Sequence, residues 1–393
     1  MDEAEADMEF RSYSSLNTDA YRAGYEVGSN LASLKPEVLV LFLSINYADS
    51  FGDLFEGLHD GLGTVNPLIF GCTGDGIYET ENVQHHGIAA LGLSSAGRMR
   101  WTLAKAKGVG ADSYSAAQSC AREALSNLGD APSIAFVLAD GIQSDGAKLV
   151  AGFRSVLPIP FFGGLAGDDR KFGQSFVLID DEAVEDAAAI LLGTGKINYL
   201  INAASGWTPI GDVGVVEVSR RNVVERISGM TAYAFMCAQL GKSPGVTDVG
   251  IIPLATTQKD GDKNYPALRS VWHYNPTTGS ATLAGSIEEG ETVMVCAATH
   301  NEVLNGVDAA LEPMKRTKFV PKAALVVSCA GRKWVLGSGG NQEVEKLFSA
   351  LGTQLPMIGF PSFGEISPFC RPDGLTTPTF FHNVTFSLCL FGD

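Results

Sequence analysis

The apolar residues of the chain alternate between short continuous runs and stretches of helical periodicity. Three continuous runs follow closely after a proline, at Val38–Leu43, Ile134–Leu138 and Ala324–Val327. Runs of this length predict buried β-strands. After each run, apolar positions recur at i, i+3 and i+4 spacing, which predicts an amphipathic helix. The three apolar faces are Leu54, Phe55 and Leu58, then Leu149, Val150, Phe153 and Val156, then Val344, Leu347, Phe348 and Leu351.

A proline and a glycine-rich turn follow each predicted helix, at Pro67–Gly71, Pro160–Gly163 and Pro356–Gly359. A further apolar strand then closes each unit, at residues 87–93, 186–192 and 382–390. Because only a loop precedes it, this strand should pair antiparallel. We therefore predict an α/β fold with layered mixed parallel and antiparallel sheets flanked by helices. It would be built from three repeated β-α-β-β units in two pseudo-related halves.

The turn-rich segment Gly206–Gly214 predicts a domain boundary in the middle of the chain. We expect residues 18–214 to form an N-terminal domain with two units, and residues 215–393 to form a C-terminal domain with one unit and a β-rich insertion. Five acids within the first nine residues predict an acidic flexible tail over residues 1–17. Additional helices are expected at Thr18–Leu34 with Thr18 as cap, and at Ser113–Leu128, Thr231–Leu240 and Asn301–Met314.

The net charge of the chain indicates which classes of partner it can bind. The formal net charge is −16, so the surface should repel phosphate backbones and anionic membranes, and we expect neither nucleic acid nor membrane as a partner. Seven cysteines without a C-x-x-C pair argue against a disulfide framework or a zinc site. We therefore expect a cytoplasmic protein with reduced thiols.

A carboxylate directly follows a glycine in each of the three turns, at Asp75, Asp168 and Glu365. Glycine admits a close backbone approach, and the acid adds one fixed charge. Each acid could simply close an Asx-turn or cap a helix. Alternatively, the three turns meet, and their acids line a pocket for a ligand with an amine or amide group. No histidine lies at ligand spacing near these acids, so a metal site is not expected.

Arg332 follows the third strand run and a glycine, where it could bind a carboxylate in bidentate fashion. With Asp168 or Glu365 accepting an ammonium, both ends of an amino-acid-like ligand would be bound. The alternative is a structural ion pair between Arg332 and one of these acids. Phenylalanines around the turns could form an apolar wall. The predicted ligand-binding residues are Gly71, Cys72, Thr73, Asp75, Gly163, Gly164, Asp168, Asp169, Arg332, Phe360, Phe363, Glu365 and Asn383.

Two other chemistries remain open. Cys72 follows a strand in a glycine-rich turn, where a nucleophile can be presented, so a cysteine- or carboxylate-dependent hydrolase is an alternative. No base partner for Cys72 can be assigned, so we favour a packing role for it. His85 and His86 are candidate haem ligands. Because adjacent strand residues point to opposite faces, only one of them could reach a given haem, and haem stays a minor option.

The segment Pro160–Phe172 resembles the signature of the FIST family, whose members are intracellular sensory proteins with an N-terminal and a C-terminal part. Further landmarks agree in order over residues 18 to 391. They are Ile69–Gly74, Asn222–Glu225, Tyr233, Leu240–Gly241, Gly290–Val293, Cys329–Arg332, Phe360–Ile366 and His382–Thr385.

This resemblance implies small-ligand sensing, with amino acids as proposed ligands, and some family members are haem proteins that respond to nitric oxide. The chain carries no motif of an appended kinase, cyclase, methyl-acceptor or F-box module, so we expect a separate partner protein to carry the signal. The first turn reads Gly74-Asp75-Gly76 where the family more often has a Gly-Glu pair, so the resemblance leaves the role of Asp75 open.

Overall fold

The computed structural model describes residues 8–79, 83–260, 263–317, 319–352, 355–371 and 374–392. The chain forms three six-stranded sheets and one seven-stranded sheet within these residues, with eight α-helices around them. The predicted mixed α/β class is confirmed. The division at residues 214 and 215 and the arrangement in two related halves stay predictions.

The three six-stranded sheets share one pairing scheme, in which two parallel strands lie beside an antiparallel one. In spatial order, the first sheet contains β1 (Glu9–Ser15), β6 (Ile88–Ser94), β2 (Val38–Ser44), β3 (Leu68–Gly74), β10 (Val177–Ile179) and β11 (Glu182–Val184). The second contains β24 (Phe380–His382), β23 (Gly364–Ser367), β9 (Phe162–Leu165), β8 (Ile134–Ala139), β12 (Ala187–Thr194) and β7 (Arg100–Lys107). The third contains β13 (Asn198–Ser205), β25 (Thr385–Gly392), β21 (Pro321–Cys329), β22 (Met357–Ser362), β4 (Ile77–Tyr78) and β5 (Val83–Gln84).

The short strand pairs after the glycine-rich turns do not stay in their own sheets. The pair β4–β5 follows β3 along the chain but joins the third sheet. The pair β10–β11 follows β9 but joins the first sheet, and β23–β24 follows β22 but joins the second. Each turn therefore crosses from one sheet to another, and this exchange brings the three turns to one place.

The seven-stranded sheet contains β14 (Thr208–Arg220), β20 (Thr292–Ala297), β17 (Pro253–Asp260), β18 (Lys263–Tyr274), β19 (Ala281–Leu283), β15 (Val223–Ile227) and β16 (Met230–Thr231). An additional pairing of β14 with β15 closes six of these strands into a ring. The ring encloses its own apolar core, to which Val216, Phe235 and Val295 contribute. The ring spans residues 208–297 and overlaps the segment predicted as a β-rich insertion, which stays a prediction.

The helices cover the outer faces of the sheets, and their apolar faces pack inward. They are α1 (Ala20–Leu31), α2 (Phe51–Leu62), α3 (Val109–Leu128), α4 (Gly146–Arg154), α5 (Ala232–Leu240), α6 (His300–Arg316), α7 (Ala330–Leu336) and α8 (Asn341–Leu351). Short 3₁₀ helices lie at Ala32–Leu34, Ile45–Ser50, Val246–Asp248 and Gly337–Gly339. The inner faces of the three six-stranded sheets meet in one central core, which includes Phe42, Phe136 and Leu325.

Three local expectations are corrected. Part of the predicted tail, Glu9–Ser15, is an edge strand paired with β6, and Phe10 stacks on Phe391 at 5.1 Å. Residues 1–7 lie outside the described residues. The segment predicted as turns before residue 214 belongs to β14, where a register shift between Ile210 and Gly214 accommodates the glycines. The first helix is capped by the side chain of Asp19, which accepts from the amide of Arg22, rather than by Thr18.

Candidate functional site

The three glycine-rich turns meet and bond to one another in a cycle. The first turn bonds to the third, the third to the second, and the second to the first. The donors and acceptors are Asp75 N to Pro361 O (2.9 Å), Phe363 N to Leu165 O (3.1 Å) and Gly167 N to Thr73 O (2.9 Å). The expected meeting of the turns is therefore present as a set of backbone hydrogen bonds.

The space between the turns is filled rather than open. Asp75, Asp168 and Glu365 are all buried, with side chains packed over them. The two large cavities, of about 920 and 710 Å³, are lined by none of the predicted site residues. The expectation of an open shared pocket is therefore corrected, because aromatic side chains from α7 and from the loop after Asp168 occupy the place.

Asp75 is the acid among the three that keeps an unused oxygen. Its Oδ2 accepts from the indole Nε1 of Trp334 at 2.8 Å and lies 3.4 Å from Nζ of Lys333, which also donates to the backbone oxygen of Asp75. Its Oδ1 is buried and has no hydrogen-bond partner in the described part of the chain. Burial raises the pKa of Asp75 to about 6, against the lowering effect of Lys333 and Trp334.

Four aromatic rings form a cluster next to this carboxylate. Phe172 stacks on Phe363 with ring centroids 5.3 Å apart and meets Trp334 edge-on at 6.1 Å. Trp272 of β18 packs against both Phe172 and Phe363. Phe172 is 36% exposed and forms the outer cover of the cluster. The guanidinium of Arg170 lies 4.2 Å from the ring centroid of Trp334, at the rim.

The loop that carries this cover is conformationally strained. Asp169, Arg170 and Phe172 all have a positive φ, between 52 and 59°, although none of them is glycine. Each such residue costs of the order of 1–3 kcal/mol, and strain of this kind persists where the surroundings impose it. The side chain of Asp168 holds this loop by accepting from the amides of Phe172 and Gly173 at 3.0 and 2.6 Å.

The other two acids are satisfied within the protein. Asp168 accepts a third amide, that of Gln174 at 3.2 Å, and therefore closes a turn as the simpler interpretation had it. Glu365 accepts from the hydroxyl of Ser362 and from the amide and hydroxyl of Thr385, at 3.1 and 2.8 Å. Neither carboxylate offers a free oxygen to a ligand without losing these bonds.

The stability contributed by Glu365 should depend on pH. Burial raises its pKa to about 7 from an ordinary value of 4.5, against the hydrogen bonds of Ser362 and Thr385. Its folded-state pKa lies above the unfolded value, so its contribution is fully present below pH 4.5 and is lost as the pH rises through 7. We expect the free energy of unfolding of the wild type, relative to Glu365→Gln, to fall over this window.

Urea unfolding of both proteins between pH 4 and 8 measures this difference. The comparison with the variant is needed because buried His382, whose pKa burial lowers to about 3, has the opposite pH dependence and is common to both proteins. A difference that does not change with pH would contradict a raised pKa of Glu365.

Arg332 forms a structural ion pair, but its partner is neither Asp168 nor Glu365. Its Nε donates to Oε1 of Glu343 at 2.7 Å, and its Nη2 donates to the backbone oxygen of Val303 at 2.7 Å. Both charged side chains are fully buried. The same glutamate accepts from the hydroxyls of Tyr78 and Ser328 at 2.9 and 3.0 Å. The predicted clasp of Arg332 with Asp168 or Glu365 around a ligand is corrected accordingly.

The remaining predicted site residues have packing or scaffold roles. Gly71, Gly163 and Gly164 allow close contact between strands. Thr73 accepts from the amide of Phe176 at 3.1 Å, and Asn383 joins β18 to the third turn through Ser270 and Phe363. Phe360 packs on Phe42 in the central core at 4.5 Å. Asp169 is half-buried and lies 3.7 Å from Nζ of Lys333.

The cysteine and histidine candidates are placed away from reactive surroundings. Cys72 is fully buried, and burial raises the pKa of its thiol well above the ordinary value, which opposes thiolate chemistry. Cys329 is buried in the same way. His85 is exposed, whereas His86 packs on Tyr47 and bonds weakly to Ser44 at 3.3 Å. The described residues contain no group of three or more His, Cys, Asp or Glu side chains arranged for a metal ion.

Several residues of the site were missed by the sequence analysis. Lys333 and Trp334 directly follow Arg332. Three large side chains in a row after a strand indicate, from the sequence alone, that this segment belongs to the site. Trp272 and Glu343 come from elements whose positions depend on the tertiary fold, so no local pattern could join them to the turns. Within the described segments, no helix combines the length and the apolar character needed to cross a membrane.

In this α/β protein, residues from the N-terminal and the C-terminal parts of the sequence meet around Asp75 and the aromatic cluster. The FIST N domain matches residues 37–230, and the FIST C domain matches residues 232–368. The chain belongs to the FIST family, as its motifs indicated.

A curated relative and a solved structure add little beyond this. An uncharacterized protein of Methanocaldococcus jannaschii is 22% identical over 221 residues, which cover 55% of this chain and 42% of the relative. The chain thus spans less than half of that protein's length. The crystal structure of cyanuric acid hydrolase from A. caulinodans is 10% identical and covers 48% of this chain and 71% of its own, with a TM-score of 0.27. A likeness this slight carries no functional conclusion.

Proposed function

We propose that the protein is a sensory protein that binds a small amine-bearing metabolite, of the amino-acid type, where the three turns meet. Membership of a family of sensory domains supports the general role. The observation that carries the proposal is the unpaired, buried Oδ1 of Asp75. A buried acceptor without a partner costs about 1–3 kcal/mol, and a ligand ammonium at this oxygen would remove that cost.

The surroundings of Asp75 suit a zwitterionic ligand. The rings of Trp334 and Phe172 offer apolar contact to a ligand side chain. Arg170 lies over the Trp334 ring at the rim of the cluster and is exposed; its Nη2 donates to the backbone oxygen of Val249 at 3.3 Å, and its other N–H groups would bind a ligand carboxylate. We propose that a ligand reaches Oδ1 by displacing Phe172, the exposed ring of the cluster that Trp334 joins to Asp75, and that the strain in its loop favours this movement.

Binding would be transmitted through contacts that join the two parts of the chain. Lys333 and Trp334 lie in α7, Trp272 lies in the closed ring, and Asp75 lies in the first turn. We propose that displacement of Phe172 alters how these elements meet and that a separate partner protein reads the change.

Replacement of Asp75 by Asn should weaken binding of the ligand. The amide keeps the shape and the acceptor but removes the charge, so we expect affinity to fall at least tenfold, the size of a lost charge-assisted hydrogen bond. The measurement is a thermal-shift screen of the twenty standard amino acids, followed by calorimetry of those that raise the melting temperature.

The matched control is Asp53→Asn, which changes an exposed acid on α2 and should leave binding unchanged. Equal affinity in Asp75→Asn and wild type would remove Asp75 from the site. A screen in which no amino acid raises the melting temperature would overturn the amino-acid class itself.

A further inference from the structure

A second cavity, of about 710 Å³, lies between α4 and the closed ring of the C-terminal part. Its volume is within the range of small-molecule sites. The lining comes from α4, from β17 and β18, and from the segment 286–292 that leads into β20. It shares no residue with the aromatic cluster over Asp75.

Arg269 of β18 lies in the wall of this cavity with an incompletely bonded guanidinium. The side chain is only 2% exposed. Its Nη1 donates to the backbone oxygens of Leu268 and Phe381 at 3.1 and 2.9 Å, and its plane lies 5.2 Å from the ring centroid of Phe381. Among the described residues, its buried Nε has no hydrogen-bond partner.

Within the described residues, no carboxylate forms an ion pair with this guanidinium. Asp145 and Glu291 are the nearby negative charges, and they raise the pKa of Arg269, while burial lowers it to about 10. The side chain of Asp145 is used to cap α4 by accepting from the amides of Ala147 and Lys148. Glu291 accepts from the hydroxyl of Thr256 at 2.8 Å. A buried cation without a bonded counter-ion is the setting in which a ligand anion gains most.

Three glutamates also line the cavity. Glu288, Glu289 and Glu291 follow one another closely along one segment of the lining. Glu288 pairs with Nζ of Lys148 at 2.8 Å, with both side chains about half exposed or more. Glu289 accepts from the amide of Ser219 at 3.1 Å. The cavity therefore offers one buried positive group and a negative rim.

We propose that this cavity is a second ligand site, which binds a small molecule with a carboxylate at one end and a cationic group at the other. Arg269 would hold the carboxylate through its guanidinium, and the glutamates of the rim would face the cation. Because Ala147 and Lys148 belong to α4 and Arg269 belongs to the ring, such a ligand would bridge the two parts of the chain.

Calorimetric titration with matched pairs of probes tests this site. L-arginine and L-lysine carry both groups, whereas agmatine and cadaverine are the same molecules without the carboxylate. We expect each amino acid to bind at least tenfold more tightly than its decarboxylated partner, because the amine leaves Arg269 unpaired. Titrations of wild type and of Asp75→Asn should give the same discrimination, since Asp75 is not part of this cavity.

Two variants locate the binding. Arg269→Gln should reduce the affinity for L-arginine at least tenfold, to the level of agmatine, and Glu291→Gln should weaken both probes while Arg269 stays in place. If Arg269→Gln does not fold, the site is still tested by comparing each amino acid with its decarboxylated partner and by the affinities of Glu291→Gln. Agmatine binding as tightly as L-arginine, absence of binding by both amino acids at millimolar concentration, or loss of discrimination in Asp75→Asn would each overturn the proposal.

Discussion

Replacing Glu343 by Gln lowers the free energy of unfolding by about 3–5 kcal/mol, because it leaves the buried Arg332 cation without its counter-ion. Both side chains are fully buried, and Nε of Arg332 is 2.7 Å from Oε1 of Glu343. The Nη1 of Arg332 already has no partner in the described structure, so no other group stands ready to take over. Urea unfolding monitored by circular dichroism measures the loss.

The control for this experiment is a more exposed ion pair that also involves α8. Lys346 of α8 pairs with Asp308 of α6, and the two side chains are 32% and 50% accessible to solvent. Asp308→Asn should cost no more than about 1 kcal/mol, as exposed pairs do. A cost for Glu343→Gln as small as that of Asp308→Asn would show that the buried pair contributes nothing to stability.

Replacing Gly71 or Gly359 by Ala is expected to cost about 3 kcal/mol each, the upper range for a clash in a packed core. A Cβ at Gly71 would lie 2.0 Å from the backbone oxygen of Leu41, and one at Gly359 would lie 2.2 Å from that of Val326. Both clashes are with the backbone of a neighbouring parallel strand, which cannot move aside like a flexible side chain. Chemical unfolding of each variant gives the cost.

Gly52 of α2 provides the matched control, because a Cβ there meets nothing within 4 Å. In a helix, alanine is favoured over glycine by up to about 1 kcal/mol, so Gly52→Ala should be neutral or stabilising. If Gly71→Ala and Gly359→Ala were tolerated as well as Gly52→Ala, the close approach of the strands before the turns would be wrong.

The sequence predicts the elements that depend on local patterns. The runs at 38–43, 134–138 and 324–327 lie within β2, β8 and β21, because strands buried on both faces are continuously apolar. Thr231 caps α5 as its position before the helix indicates. Local patterns do not predict strand β1, because it is an edge strand. Its alternation of charged and half-buried residues resembles that of a solvated tail.

The site was only partly predictable because its partners are distant along the chain. The three acids were found from their repeated spacing, and the turns do meet. The exchange of short strands between sheets, which decides that Asp75 lies beside Lys333 and Trp334, leaves no mark in any local pattern. Glu343 carried a weaker signal, since it lies four residues before Leu347 and so shares the apolar face of α8.

We propose that an amine-bearing ligand binds at the unpaired Oδ1 of Asp75, next to the aromatic cluster that Phe172 covers. The most direct measurement is a crystal structure of the protein grown with the standard amino acid that raises its melting temperature most. We predict that the ammonium nitrogen lies about 2.8 Å from Oδ1 of Asp75, with Phe172 swung outward. A ligand bound elsewhere, with Phe172 still stacked on Phe363 and Oδ1 of Asp75 unoccupied, would contradict the account.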